Sequence, residues 1–302
     1  MMDFNGYKSG YVALVGKPNV GKSTLLNHYI GQKVAAVSKK PQTTQKRQLG
    51  ILTTEQAQII FIDTPGLHSG NYKLSSFINE EAENALTDAD LILFVVDISQ
   101  FPDGEDRRLA ELINKLSGDI PKLLVMNKID LANPTGIELQ KAAYLQLLEF
   151  VDGVEISAIT ESGREKLLDR IIQLLKEGPQ FFPEDQITDV YEREIAQDLI
   201  RAAALHHLRD EVPYGTFVHV DDYVLRGDGT RYVHATIFVE RDSQKGIVIG
   251  KGGSMIKQIS TLARLEIEEM SGESVFLDLK VKVEKNWRDN PDFLRRHGLS
   301  HD

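Results

Sequence analysis

The chain has 302 residues, enough for two domains with a core each, and its 41% hydrophobic content is that of an ordinary globular protein. It contains no cysteine, which excludes disulfides, thiolate zinc sites and thiol catalysis and fits a reducing compartment. A net charge of −10 argues against a nucleic-acid partner when taken alone. Its distribution argues otherwise: no Asp or Glu lies between Phe4 and Thr54, where Lys8, Lys17, Lys22, Lys33, Lys39, Lys40, Lys46 and Arg47 all fall. A second acid-free window, 243–265, carries Lys245, Lys251, Lys257 and Arg264, so the pattern is of an acidic protein with two anion sites. Residues 1–9 lack the basic-then-apolar pattern of a signal peptide, and the longest apolar run, 91–96, is far short of a spanning helix. The expectation is a cytoplasmic protein, attached to a membrane at most peripherally.

In chain order, residues 10–16 read as a buried parallel strand and 22–29 as its crossover helix. Between them, Gly16-Lys17-Pro18-Asn19-Val20-Gly21-Lys22-Ser23 fits the phosphate-loop pattern G-x-x-x-x-G-K-[ST], with Thr24 next in the helix. Gly16 and Gly21 permit turns that a side chain would block, so successive N–H groups can face phosphate oxygens beside the helix start. In such a loop Lys22 reaches the β- and γ-phosphates and the Ser23 hydroxyl holds Mg2+. Residues 37–46 form an irregular basic stretch. Strands over 48–53 and 57–62 follow, the second ending in Asp63-Thr64-Pro65-Gly66. Asp63 would sit opposite Ser23 and position Mg2+ through water, and Gly66 would offer its N–H to a phosphate.

Residues 90–97 and 122–126 read as further buried strands, with helical spacing over 106–116 between them. Asn127-Lys128-Ile129-Asp130 then decides the nucleotide. The Asp130 carboxylate can accept from both N1–H and the exocyclic amino group of guanine; adenine offers neither and would leave a carboxylate unpaired. Asn127 can brace the neighbouring loops, and the Lys128 stem can lie along the base plane. A short strand over 154–157 ends in Ser157-Ala158-Ile159, where the Ala158 N–H can meet guanine O6. A helix over 163–175 closes this part, and residues 178–185 break the periodicity.

The rest of the chain reads as helix (189–209), a hairpin of two alternating strands (216–225 and 232–241), helical segments around Gly250-Lys251-Gly252-Gly253, and a last strand over 275–283. The order is α-β-β-α-β, with the third helical segment divisible in two. A G-x-x-G between two helical turns, after Ile249 and inside the acid-free window, is the arrangement that clamps about four unpaired nucleotides. Lys251 and Lys257 would add charge; Ile247, Ile249 and Ile256 would line a groove for bases. The competing reading is a helix–turn–helix packing joint with solvated lysines. Lys280, Lys282, Lys285, Arg288, Arg295 and Arg296 would extend a basic track, while Trp287 reads as surface or core.

These motifs resemble those of translation-factor-class P-loop GTPases over residues 10–178, followed by a type II KH domain. The resemblance implies an α/β fold: a mostly parallel six-stranded sheet flanked by helices, then a smaller α+β domain. Domains are expected at 1–178 and 189–302, joined by a linker at 179–188. It implies GTP/GDP and Mg2+ as ligands, residues 39–46 as the first switch with Thr44 (or Thr43) closing onto Mg2+, and 63–73 as the second. Lys22, Thr44 and Gly66 would be the catalytic group. Leu67 stands where Ras-like proteins carry a water-orienting Gln, so unaided hydrolysis is expected to be slow. Asn19 is a candidate K+ ligand in the manner of related GTPases with a hydrophobic residue there, and equally an ordinary loop residue. Nearly the whole chain resembles the Era family of bacterial ribosome-assembly GTPases. That resemblance implies binding of single-stranded 16S rRNA near its 3′ end during small (30S) ribosomal subunit maturation and peripheral contact with the inner face of the cell membrane. Separately, the chain is expected to be a monomer. The rivals are a kinase or ATPase, and a trafficking GTPase whose C-terminal part binds protein or lipid.

Overall fold

The structure is a computed structural model that describes residues 6–37, 46–65 and 72–300. The chain divides into two compact units. Met1–Gly31, Lys46–Leu67 and Asn79–Asp189 form the first; Gln32–Gln45, His68–Ile78 and Val190–Asp302 form the second.

The elements of the first part run β1 (Lys8–Val15), α1 (Lys22–Ile30), β2 (Gln48–Thr53), β3 (Ala57–Asp63), α2 (Lys73–Thr87), β4 (Leu91–Asp97), α3 (Gly104–Leu116), β5 (Lys122–Asn127), α4 (Ile137–Leu145), β6 (Asp152–Glu155) and α5 (Arg164–Leu174). One six-stranded sheet has the order β2-β3-β1-β4-β5-β6, and only β2 runs antiparallel to its neighbour. β3 and β4 are buried at every residue, as continuous apolar runs are when both faces of a parallel sheet are covered. Parallel strands bring their C-terminal ends to one edge, where this architecture places its ligands. Asp63, Asp97 and Asn127 are the last residues of β3, β4 and β5.

Two helices were not expected from periodicity. α4 buries Gln140 and Tyr144 and no aliphatic stripe, and α2 begins at Lys73, the last residue expected in the second switch. α3 starts earlier than its apolar spacing indicates, because Asp103 caps it and Asp106 completes a reciprocal capping box.

The second part runs α6 (Glu192–His207), β7 (Phe217–Leu225), β8 (Arg231–Val239), α7 (Asp242–Ile249), α8 (Ser254–Ser271), β9 (Val275–Val283) and α9 (Pro291–Arg296). β7 and β8 form an antiparallel hairpin, and β9 joins β8 in parallel. Val233, Ala235, Ile237 and Val239 of β8 share one buried cluster with Leu199, Ala203, Ile259, Ala263 and Ile267 from the helices. A second cluster gathers Phe217, Trp287, Phe293, Leu294 and Leu299 with Leu74, Phe77 and Ile78 of α2. Trp287 is wholly buried and donates its indole N–H to the Gly215 carbonyl at 3.0 Å. It is a core residue.

Candidate functional site

The phosphate loop connects β1 to α1 and is held in a tight form by its own residues. Gly21 stands at φ 105°, and a Cβ there would lie 2.2 Å from Asn127 Nδ2. Asn19 is also left-handed at φ 65°, a conformation that Asn tolerates better than most residues. Lys22 is buried, and its Nζ donates to the Gly16 carbonyl at 2.8 Å and to the Lys17 carbonyl at 3.0 Å. Burial pushes the Lys22 ammonium down to about 8, against the opposing pull of Asp63. A buried cation beside a turn of backbone N–H groups is a receptor for a polyanion.

Asp63 is fully buried at the end of β3, and its Oδ2 accepts from the Ser23 hydroxyl at 2.8 Å. Thr64 is fixed by its hydroxyl, which donates to the Leu14 carbonyl at 2.7 Å. An alcohol and a carboxylate side by side form a hard, all-oxygen donor pair, which fits Mg2+ and lacks the imidazole or thiolate that zinc and copper sites favour. Among the described residues no cluster of three or more His, Cys, Asp or Glu offers another metal site.

The base loops are built around Asn127. Its Nδ2 donates to the Val20 carbonyl at 2.7 Å, and its Oδ1 accepts from the Ala158 N–H at 2.9 Å. The bracing role expected of Asn127 is therefore direct, tying the phosphate loop to the loop after β6. The Ala158 N–H, expected to face guanine O6, is engaged by Asn127 here. Ser157 is buried, and its hydroxyl accepts from the Thr160 N–H at 3.1 Å, while Ile159 is exposed. Lys128 adopts φ 66° and donates to Asp97 Oδ2 at 2.7 Å. Burial alone would raise the Asp97 carboxyl, but Lys128 and Ser99 outweigh it and hold it below the usual value. Asp130 lies exposed in a single 3-10 turn, Ile129–Leu131, so its carboxylate is open to a ligand.

In the second unit, α7 ends and α8 begins around Gly250-Lys251-Gly252-Gly253. Gly250, Gly252 and Gly253 all have positive φ, of 74°, 60° and 79°. A Cβ on Gly250 would meet Met255 at 2.7 Å, whereas Gly252 has nothing within 4 Å and leaves open space for an incoming backbone. Lys251 and Lys257 are exposed. Ile247 is 49% exposed, whereas Ile249 and Ile256 pack partly against the core.

Residues 11–128 match the family described as 50S ribosome-binding GTPase, and residues 211–288 match the KH domain. GTPase Era of Lactobacillus helveticus is 44% identical over 297 residues, covering 98% of both chains. GTPase Era of Geobacter metallireducens is 44% identical over 301 residues, covering 99% of this chain and all of its own. The chain belongs to the Era family of GTPases. A crystal structure of Era in complex with MgGDPNP and nucleotides 1506–1542 of 16S ribosomal RNA superposes with a TM-score of 0.90, at 36% identity and with 97% of this chain and 99% of that one covered. A variant of Aquifex aeolicus Era bound to GDP and AlF4− gives a TM-score of 0.89, also at 36% identity and with the same coverage of both chains.

Within this Era-family chain, one part of the expected site lies outside the described residues and another part was missed. Thr43, Thr44, Gly66 and Leu67 lie outside the described residues. The basic track loses Arg288, whose guanidinium bonds both oxygens of Glu240, with Nε at 3.1 Å from Oε1, and lies 3.9 Å from the Tyr72 ring centre. Asp97, Asp103 and Asp106, which contact Lys128 and Lys17, belong to none of the motifs. In the sequence they are only an acidic residue closing a buried strand and a capping pair at the next helix start, and neither signal points to a lysine partner.

Proposed function

We propose that this protein is a GTP-hydrolysing, RNA-binding switch of small ribosomal subunit assembly that acts through single-stranded 16S rRNA near its 3′ end. As an Era-family member it is a GTPase, converting GTP to GDP and phosphate. The observation that carries the reading is the Asn127 brace, which joins the phosphate loop to the base loops in one hydrogen-bonded unit. In this reading Gly16, Lys17, Pro18, Asn19, Val20, Gly21, Lys22, Ser23 and Thr24 receive the phosphates, and Asp63, Thr64, Pro65, Gly66 and Leu67 flank the γ-phosphate. Asn127, Lys128, Asp130, Ser157, Ala158 and Ile159 surround guanine. Ser23 and Asp63, with Thr44, would hold Mg2+, which when bound neutralises charge on the β- and γ-phosphates. Lys22, with its cation already placed against the loop, stabilises the charge that develops as the terminal phosphoryl leaves.

The RNA would lie along Ile249, Gly250, Lys251, Gly252, Gly253 and Lys257, the phosphates approaching the open side of Gly252. That one Era complex holds both MgGDPNP and a 16S rRNA fragment supports both ligands. K+ at Asn19 is our reading for the missing water-orienting Gln; hydrolysis unchanged when K+ is replaced by Na+ would remove it. We place the protein in the cytoplasm, consistent with its lack of cysteine, as a monomer in peripheral contact with the membrane's inner face. No helix among the described residues is long and apolar enough to cross a membrane. The deciding experiment is competition for a fluorescent GDP analogue, followed by crosslinking to identify the bound RNA. ATP competing as well as GTP, or no recovery of 16S sequence, would overturn the reading.

A further inference from the structure

We propose that the connection from β4 to α3, residues 97–106, is a brace for nucleotide binding: its carboxylates act as positioning residues that fix one lysine of the base loop and one of the phosphate loop. This rests on the reading of Gly16–Ser23 and Asn127–Asp130 as a guanine nucleotide site.

The base-loop end is Asp97. It pairs with Asn127 in the β4–β5 register, so its carboxylate emerges beside the loop that reads the base. Oδ2 accepts from Lys128 Nζ at 2.7 Å, while Oδ1 accepts from the Ser99 N–H at 3.1 Å and the Ser99 hydroxyl at 2.6 Å. The carboxylate is thus oriented by Ser99 and presents its second oxygen to Lys128. A lysine stem samples many rotamers; held this way, it is ordered before a ligand arrives, and binding need not supply that order.

The phosphate-loop end is Lys17. Its Nζ lies 2.8 Å from Asp103 Oδ2 and 2.8 Å from Asp106 Oδ2. Those two carboxylates also form the capping box of α3: Asp103 Oδ1 accepts from the Glu105 and Asp106 N–H groups, and Asp106 Oδ2 accepts from the Asp103 N–H. Lys17 is therefore anchored by a helix terminus whose own backbone donors are satisfied by the same side chains. Its carbonyl accepts from Lys22 Nζ at 3.0 Å, so side chain and main chain of one loop residue are both fixed.

An exposed ion pair would carry little weight. Here the side chains of Lys17 and Asp106 are only 12% and 1% exposed, and removing one partner leaves a charge with little water. Burial raises the Asp106 carboxyl above its usual value in spite of Lys17. Burial has the same sense at Asp103, but Lys17 and the backbone N–H groups overcome it and hold that carboxyl low. The connection is itself fastened to α4, since Gln140 Nε2 donates to the Ser99 carbonyl at 3.1 Å.

The test is GDP affinity of the full chain, read with a fluorescent GDP analogue, for Lys17→Met, Lys17→Arg, Asp106→Asn, Asp97→Asn, Lys128→Met and the pairwise combinations. Lys17→Met, Asp106→Asn and Asp97→Asn should each weaken GDP about tenfold, within the coupling range of residues in contact. Lys17→Met with Asp106→Asn should lose no more than the worse single change, and so should Lys128→Met with Asp97→Asn. Lys17→Met with Asp97→Asn should lose the product of the two, because the ends serve different loops. Lys17→Arg, which keeps a cation beside the two carboxylates, should recover part of the affinity that Lys17→Met loses. Affinities unchanged in the single variants, or losses that multiply within each pair, overturn the proposal. So does a loss of affinity that follows only the melting temperature across all variants. Failure of the wild-type protein to bind GDP would instead overturn the underlying reading of the site.

Discussion

Lys22 Nζ lies 2.8 Å from the carbonyl oxygen of Gly16, so the first and seventh residues of the phosphate loop hold each other. The contact keeps the loop in a receiving shape and leaves the ammonium poorly solvated. Its value falls to about 8 from the 10.5 of an exposed lysine. Between those values the unfolded chain holds a proton that the folded, nucleotide-free protein has released, so stability rises with pH through that window from this group. Nucleotide binding must go the other way, because the phosphates favour the charged form. Log affinity for GDP should be flat with respect to Lys22 below about pH 8 and then fall with a slope approaching one per pH unit. Calorimetric titrations between about pH 7 and 9 in buffers of different ionisation enthalpy would show the proton uptake directly.

Asp130→Asn should exchange guanine for xanthine. The amide can donate where the carboxylate only accepted, which suits the carbonyl that xanthine carries in place of the amino group. GDP affinity should fall by at least about a hundredfold, with XDP overtaking it in a competition assay. Parallel loss of both nucleotides would show that Asp130 serves the fold and not the base.

Ser23→Ala removes the hydroxyl that lies 2.8 Å from Asp63. Nucleotide should still bind through the loop N–H groups, but the tightening produced by Mg2+ should shrink about ten- to a hundredfold. Affinities with and without EDTA, measured for both proteins, separate the metal contribution from the loop.

Gly21→Ala places a methyl 2.2 Å from Asn127 Nδ2 at a φ of 105°. It should destabilise the protein by about 1–3 kcal/mol and weaken nucleotide together with stability. Gly31→Ala is the matched control, since its φ of 74° is also positive but nothing lies within 4 Å. Thermal denaturation of the two variants isolates the clash from the backbone preference.

Gly252→Asp adds a carboxylate at a position with free space around it, in a left-handed conformation that Asp accepts better than most residues. The fold and GTP hydrolysis should survive. Affinity for unpaired RNA should fall about tenfold or more, and the loss should be smaller at high salt, where phosphate contacts already contribute less. Unchanged RNA binding would remove the clamp from this turn.

What could be read from the residues was local in sequence. The phosphate loop, Asp63 at a strand end, Asn127 to Asp130 and the turn at Gly250 each declare themselves within a few positions, because backbone geometry demands particular residues side by side. The contacts that escaped are distant ones. Lys17 finds Asp103 86 residues away, Lys128 finds Asp97 31 residues away, and Arg288 finds Glu240 48 residues away. Nothing in a linear pattern couples such partners. α4 escaped for a different reason: its buried face is Gln140 and Tyr144, which no apolar periodicity marks. The grouping of the described residues 32–37 and 72–78 with the C-terminal part was equally invisible, since the chain enters and leaves each unit more than once.

The amide of Asn127 accepts from one loop and donates to another. It follows that base preference and loop architecture are heritable separately on this scaffold. Position 130 can drift toward another purine in a single substitution and leave the phosphate loop standing. Position 127 has no such freedom, because any replacement disturbs two loops before it touches a ligand.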